Sequence, residues 1–430
     1  KVYFIFKKKT LSVKIFCMKI KLSFNKIIIS VAALIVFLIA LFLVIIGISS
    51  HKPTAAFYGI SETTQKHIEK VLQAAAPKKK GRFAPFNVVS LDTNVPLEAA
   101  LKKQKADIVF VYRGKNSDFA ANLAAKKRAG FDADILKGMT SSIRKTAVVS
   151  NGKVVAVPIL IDNYELDVHS EKFKASGVNT LETLEDLEKL AWITKSSTPS
   201  PIIFPGGDDD FLINIFGALV EAVSGKSAWV QGQEKIAGLI KSGKANYNSY
   251  LAALKELAAD GNAYSETCRL LKTWSQKEIL PKNIYQINVR DMKIFMQTEI
   301  VTAAFQNLSE HRTFERPVIS KYTSVYVPAA SESKERFFTS PVLLGISLSK
   351  DKVARAAIEK FANELQSQLS FSTGLAPVQA NCPVPDVQSD DVRYWVAASN
   401  EPLPALADSL FASKIQKASF AEALRNFLRS

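Results

Sequence analysis

Val157-Pro158-Ile159-Leu160-Ile161-Asp162-Asn163-Tyr164 is the stretch on which the reading of this 430-residue chain turns. An apolar run that begins at Lys153 stops abruptly at a carboxylate, an amide and an aromatic ring. Pro158 cannot donate to a strand ladder, so inside a would-be central strand it demotes the strand or marks a crossing point. Asp162, Asn163 and Tyr164 together offer hydrogen bonds and a stacking face, which suit a neutral polar solute. A strand end with a polar turn is the plainer alternative, and the pattern alone does not choose between them.

Working outward, strand and helix signals alternate on both sides of this stretch. Towards the N-terminus, Ala55–Gly59, Phe86–Leu91 and Asp107–Tyr112 read as strands, the last a near-continuous apolar run of the kind found in covered parallel sheets. Ser61 is placed to cap a helix carrying Ile68, Val71 and Leu72 on one side, and Pro96–Lys103 reads as a further helix. Towards the C-terminus, Thr180 is expected to cap a helix with Leu181, Leu184, Leu187 and Ala191 at helical spacing. Pro201–Phe204 reads as a short strand, and a helix runs through Phe211–Val223. Pro341–Leu348 is strand-like, and Ser349 is expected to cap a helix striped by Val353, Ala357, Phe361 and Leu365. Ser419–Leu428 predicts a closing amphipathic helix. Two such series around Pro158 argue for an α/β class with two lobes.

Charge does not point to nucleic acid. The net charge is +16, but residues 1–52 hold nine Lys and no acidic residue, which leaves 47 basic against 40 acidic residues in the rest. That remainder is mildly basic and mixed in sign, unlike a phosphate-tracking stripe. Ile27–Ile48 is a 22-residue run without charge. At about 1.5 Å of rise per residue, a helix of this length crosses a hydrocarbon layer of about 30 Å. Lys19, Lys21 and Lys26 precede it, so the positive-inside rule keeps residues 1–26 in the cytoplasm and sends the bulk outward. We expect a retained signal anchor over 27–48, in a single-pass membrane protein whose body is extracytoplasmic; Gly47 and Ser49 leave cleavage open. Residue 1 is Lys, and Met18 opens a stretch that reads as a complete basic and apolar leader, so residues 1–17 read as sequence upstream of the start. Beyond the apolar run only Cys268 and Cys382 occur, too few for a disulfide scaffold; pairing between them stays open.

No catalytic motif assembles. Gly225-Lys226-Ser227 lacks the glycine five positions earlier that a phosphate loop requires, since Val220 stands there, and reads as a helix C-terminal glycine. Asp208-Asp209-Asp210 reads as carboxylates offsetting the positive end of a helix, which also makes that end a poor site for an anion. His51, His67, His169 and His311 show no metal-ligand spacing, so no metal and no cofactor are expected. Paired carboxylates for glycoside hydrolysis would escape a reading of this kind.

The order of segments resembles the extracellular solute-binding proteins of ABC importers, the group that includes maltose-binding protein. Lys105–Phe110 is similar to the family's strand ending PDIV, with Ala106 where proline is usual. Asn151–Pro158 is similar to NGKxYGVP, Tyr164–Phe173 to LYYNKDLF, and Thr183–Leu190 to the TWDEL helix. Phe295–Ala304 resembles AFxxGKxAM, with Thr298-Glu299 in place of Gly-Lys, and Gly345–Ser349 resembles GxxISKxSK. Thr373–Val378 is close to the xGxxPV loop, and Ser419–Leu424 to the TVEEAL helix. The lipid-bearing cysteine of tethered members is absent, and the apolar run would replace it.

This resemblance implies a two-lobed periplasmic-binding-protein-like fold (type II) behind an N-terminal transmembrane helix. It implies a first lobe from 53–160, a second over 161–304, a return to the first at 305–345, and a second-lobe strand and helix with the C-terminal helices over 346–430. Hinge positions fall at Pro158, Ile161 and Ala304. Ligand contacts are implied at Tyr58, Tyr112, Arg113, Asp162, Asn163, Tyr164, Gly206, Gly207, Asp208, Gln306 and Asn307. The amide pair at 306–307, where sugar binders often place an aromatic platform, is a departure. The implied function is delivery of a small, sugar-like solute to ABC permease subunits, by a monomer and without chemistry. A surface sensor or interaction module on the same fold is the alternative, since fold does not dictate function, and a cell-envelope hydrolase is a third reading.

Overall fold

The computed structural model describes residues 35, 37, 52–75, 86–331 and 335–430. The chain divides into two units, Lys1–Lys52 and Pro53–Ser430, and the fold described is that of the second. The expected anchor over 27–48 lies outside the described residues apart from Ile35 and Phe37, as does the basic segment 1–26. Among the described residues no helix is long and apolar enough to cross a membrane.

Eleven strands among the described residues form two sheets. β1 (Thr54–Tyr58), β2 (Asn87–Ser90) and β3 (Ile108–Tyr112) pair in parallel, joined by helices Glu62–Ala75 and Leu97–Lys103. Their apolar side chains are buried on both faces of β1 and β3, as a covered parallel sheet demands. β4 (Val148–Ser150) and β5 (Lys153–Ile161) follow. The first sheet is completed by β10 (Val342–Ser347) and β11 (Ala376–Pro377), in the order β11-β5-β10-β3-β1-β2 with β4 beside β5. β6 (Tyr164–His169), β7 (Ser200–Ile203), β8 (Val301–Asn307) and β9 (Tyr322–Tyr326) form the second sheet in the order β7-β8-β6-β9. Each sheet has its own core. Phe57, Phe110 and Phe361 stack in the first, with centroids 5.1 and 5.8 Å apart; Trp274 stacks on Phe305 at 6.2 Å in the second.

Pro158 sits inside β5, not at a crossing. Its missing N–H is accommodated where the β5–β10 register shifts between Leu343 and Leu344, the residue that Pro158 faces. Ala304 is likewise interior to its sheet, opposite Asp167 and Ile203. The chain passes between the sheets at Asp162–Asn163, between β5 and β6, and again over 327–341, between β9 and β10. Asp162 N donates to Pro341 O at 2.9 Å and Tyr164 N to Thr339 O at 2.9 Å, so these two connections lie side by side. A third segment joins them, with Leu403 N bonded to Phe338 O and Ser340 N to Leu403 O. The expected boundaries shift accordingly. β9 keeps residues 322–326 in the second sheet, and β10 together with the Lys352–Ala362 helix belongs to the first core, because Ala354, Ile358 and Phe361 pack there.

Two helix caps move. Thr183, not Thr180, caps Leu184–Thr194, exchanging hydrogen bonds with Asp186. Asp351, not Ser349, caps Lys352–Ala362 through the N–H groups of Val353 and Ala354, so Leu365 falls beyond the helix. Ser61 does hold the first helix, accepting from Thr64 N at 3.2 Å. Cys268 and Cys382 are both free thiols.

Candidate functional site

A cavity of about 640 Å³ opens at the carboxyl ends of β1, β3 and β5 and faces the start of the Asp209–Ser224 helix. Parallel sheets leave such a crevice because their connecting loops diverge there. The volume falls in the range that encloses a small organic ligand. Phe57, Tyr58, Tyr112, Tyr164 and Phe211 give the wall its aromatic surface, and Asn116, Asn214, Asn307 and Ser309 supply amides and a hydroxyl.

Asp162 organises the floor. Its Oδ1 accepts the backbone N–H groups of Asn163 (2.9 Å) and Ser309 (3.0 Å). Its Oδ2 accepts the Ser309 hydroxyl (2.7 Å), the Asn307 amide (2.9 Å) and the Tyr112 hydroxyl (3.3 Å). Burial pushes the carboxyl above its ordinary value, and the donors from Ser309, Asn163 and Asn307 oppose that shift. The carboxylate therefore ties the β5–β6 connection to the end of β8 and to β3. Tyr58 is similarly committed: its hydroxyl lies 2.8 Å from Val95 O and 2.7 Å from Ala412 O, and burial raises it to about 12. Tyr164 Oη accepts from Asn214 Nδ2 at 2.7 Å, while Asn214 Oδ1 accepts Ala407 N, which fixes that amide's orientation.

On the opposite wall Lys417 lies 2.6 Å from Asp210 and 3.3 Å from Asp408. Burial alone would lower the ammonium; the two carboxylates outweigh it and raise it. Glu310 lines the cavity without a cationic partner among the described residues, and burial, then Asp162 and Asp208, raises its carboxyl. Carboxylates at Glu62, Asp162, Asp210, Glu310 and Asp408 face Lys414 and Lys417, so the cavity disfavours an anion.

Of the residues expected to bind, Tyr58, Tyr112, Asp162, Tyr164 and Asn307 are brought together in the cavity wall. The others lie elsewhere. Arg113 bonds Glu401 and Pro402 O (3.0 Å), clamping the third connection. Asn163 is fully buried and accepts the Ser340 hydroxyl at 2.6 Å. Gly206 and Gly207 pass under residues 284–287, where a Cβ on either would come within 2.8 Å of backbone oxygen. Asp208 accepts Val289 N at 2.7 Å, and its neighbour Asp209 pairs with Arg425. Gln306 is buried on Asp167. Asp408 and Lys417 were not found in the sequence, because nothing local marks residues that reach the cavity from a distant segment. Trp229 and Trp274 are core residues.

One group of metal-type donors occurs among the described residues: Glu165 and Asp167 on β6 and His311 from the short helix after β8, all buried. His311 Nδ1 is 3.1 Å from Asp167 and 3.5 Å from Glu165. The Gln388 amide nitrogen, 3.0 Å from the same Nδ1 and bonded to Glu165 and Ser324, reaches into the space between them. That packing makes an ion-pair network rather than an open coordination site. Burial alone would lower His311; Asp167 and Glu165 outweigh it and hold the imidazolium to about 10. Glu165 is pushed up by burial and by Asp167, while Asp167 is driven down by His311 against the effect of burial.

No family model matches the sequence, and no curated protein matches it. Solved structures do. The bacterial solute receptor AcbH, described as preferring β-D-galactopyranose, is similar at 11% identity and TM-score 0.64, over 87% of this chain and 93% of its own. A chitin oligosaccharide binding protein is similar at 16% identity and TM-score 0.59, over 88% and 94%. A maltose-bound MalE3 of T. maritima is similar at 12% identity and TM-score 0.55, over 87% and 99%. The chain thus shares the α/β, two-sheet fold of maltose-binding-protein-like solute-binding proteins.

Proposed function

We propose that this chain is a membrane-anchored, extracytoplasmic solute-binding protein that captures a small neutral polar solute of the sugar kind and delivers it to an ABC importer. The observation that carries the reading is the cavity of about 640 Å³ between two separately cored sheets, walled by aromatic rings, amides and carboxylates from both. Carboxylate and amide oxygens accept hydroxyl donors, while rings cover the apolar face of a sugar. The proteins that share the fold are named for binding galactose, chitin oligosaccharide and maltose, which supports a carbohydrate here.

Capture would work by closure about the three connections near 162–163, 338–341 and 402–404. A solute bound from both sides favours the closed form only by its extra affinity for that form. Asp162 has its lone pairs occupied by five donors, so it is poorly placed to act as a general base, and the reading involves no chemistry on the solute. A monomer handing its solute to permease subunits completes the reading; neither a cofactor nor nucleic acid takes part.

Calorimetric titration against monosaccharides, oligosaccharides, polyols and oligopeptides tests it. At least one sugar is expected to bind with Kd of about 1 μM or tighter, and Glu310→Ala to weaken it about tenfold. Absence of binding by every sugar in the panel would overturn the carbohydrate reading, and tight binding of a phosphate ester would overturn the charge argument.

A further inference from the structure

We propose that the amino-terminal edge of the first sheet is a face that rests on an anionic lipid surface. The inference rests on the anchored reading of residues 27–48. Three described loops meet along this edge. Thr54 N bonds Asp107 Oδ2 (2.9 Å), Leu348 N bonds Asp107 O (2.7 Å), and Arg355 Nη1 bonds Ala129 O (2.7 Å). These bonds make residues 102–107, 126–130 and 348–355 one continuous surface, and a recess of about 490 Å³ joins Arg128 to Lys350 and Lys352.

The charge of that surface is one-sided. The three stretches hold nine basic residues against Asp107 and Asp351, and both acids are committed, Asp107 to Thr54 N and Asp351 to its helix cap. Lys103, Lys105, Lys126, Lys127, Lys350 and Lys352 are exposed and have no ion-pair partner among the described residues. At the border, Asp132 is paired with Lys153, and Glu359 flanks the recess. These three stretches hold nine basic and two acidic residues, while the rest of 53–430 holds 38 basic and 38 acidic. The excess charge of the body thus sits on one edge.

That edge is also where the chain arrives. β1 begins at Thr54, and four residues separate Ile48 from Pro53 in the sequence. Lysines held within a Debye length of anionic headgroups each add attraction. The cavity lies at the opposite, carboxyl ends of β1 and β3, so this pose holds its mouth away from the lipid. Loading from outside is favoured.

The test uses the full chain with vesicles of phosphatidylcholine alone or mixed with phosphatidylglycerol, read by flotation and hydrogen exchange. We expect flotation with both lipids. Exchange over 102–107, 126–130 and 348–355 should slow several-fold only with phosphatidylglycerol, and be restored by high salt and by the combined Lys103→Glu, Lys127→Glu and Lys350→Glu substitutions. Flotation with phosphatidylglycerol alone would keep the face and overturn the anchor. Flotation with both lipids but equal exchange would overturn the face, and flotation with neither would overturn both. Protection by added duplex DNA on neutral vesicles, with none from the anionic lipid, would replace the lipid by nucleic acid.

Discussion

Asp162 lines the cavity, and its carboxylate is taken up by hydrogen bonds within the fold. Five donors from four residues converge on it, and a sequence reading cannot count donors that arrive from Ser309 and Tyr112. Asp162→Ala should strand the buried N–H of Ser309 and loosen Asn307, costing about 2–4 kcal/mol in urea unfolding. A loss under about 0.5 kcal/mol, the level of an ordinary surface change, would show that the carboxylate does not hold the connection. Gly206 and Gly207 carry a related lesson. They resemble a ligand-contact turn in sequence, but the close approach they permit is to the backbone of residues 284–287.

The strands themselves were legible because burial on both faces leaves a direct mark on composition: β3 reads Ile-Val-Phe-Val-Tyr, with four of its five residues fully covered. Helix bodies were legible from their stripes, but caps were not. Thr180 and Thr183 both look suitable, and only the reciprocal bonds with Asp186 decide for Thr183. The buried Glu165–Asp167–His311 network was invisible, since its members belong to β6 and to a short helix after β8. It gives the second sheet a pH dependence of defined sign. His311 has a folded value near 10 against about 6.5 in an unfolded chain. Its contribution is complete below about 6.5 and is lost as pH rises through 10. The thermal midpoint should therefore fall between pH 7 and pH 10, and His311→Gln should flatten that fall; an unchanged slope in the variant would assign it to other groups.

At the scale of the whole molecule, the α/β class with two sheets followed from strand and helix alternation on both sides of Pro158, while the boundaries did not. Residues 322–326 and 342–347 are both short apolar strands, and local pattern has no means of assigning one to each sheet. The same limit hid Asp408 and Lys417, which approach the cavity only because the last helices pack on the second core. The proposed closure would turn about the three adjacent connections between two cores. Small-angle neutron scattering from the full chain at the detergent match point tests that most directly, with and without a sugar shown to bind. The account predicts a smaller radius of gyration when the sugar is saturating. Identical scattering curves with the sugar bound would contradict it.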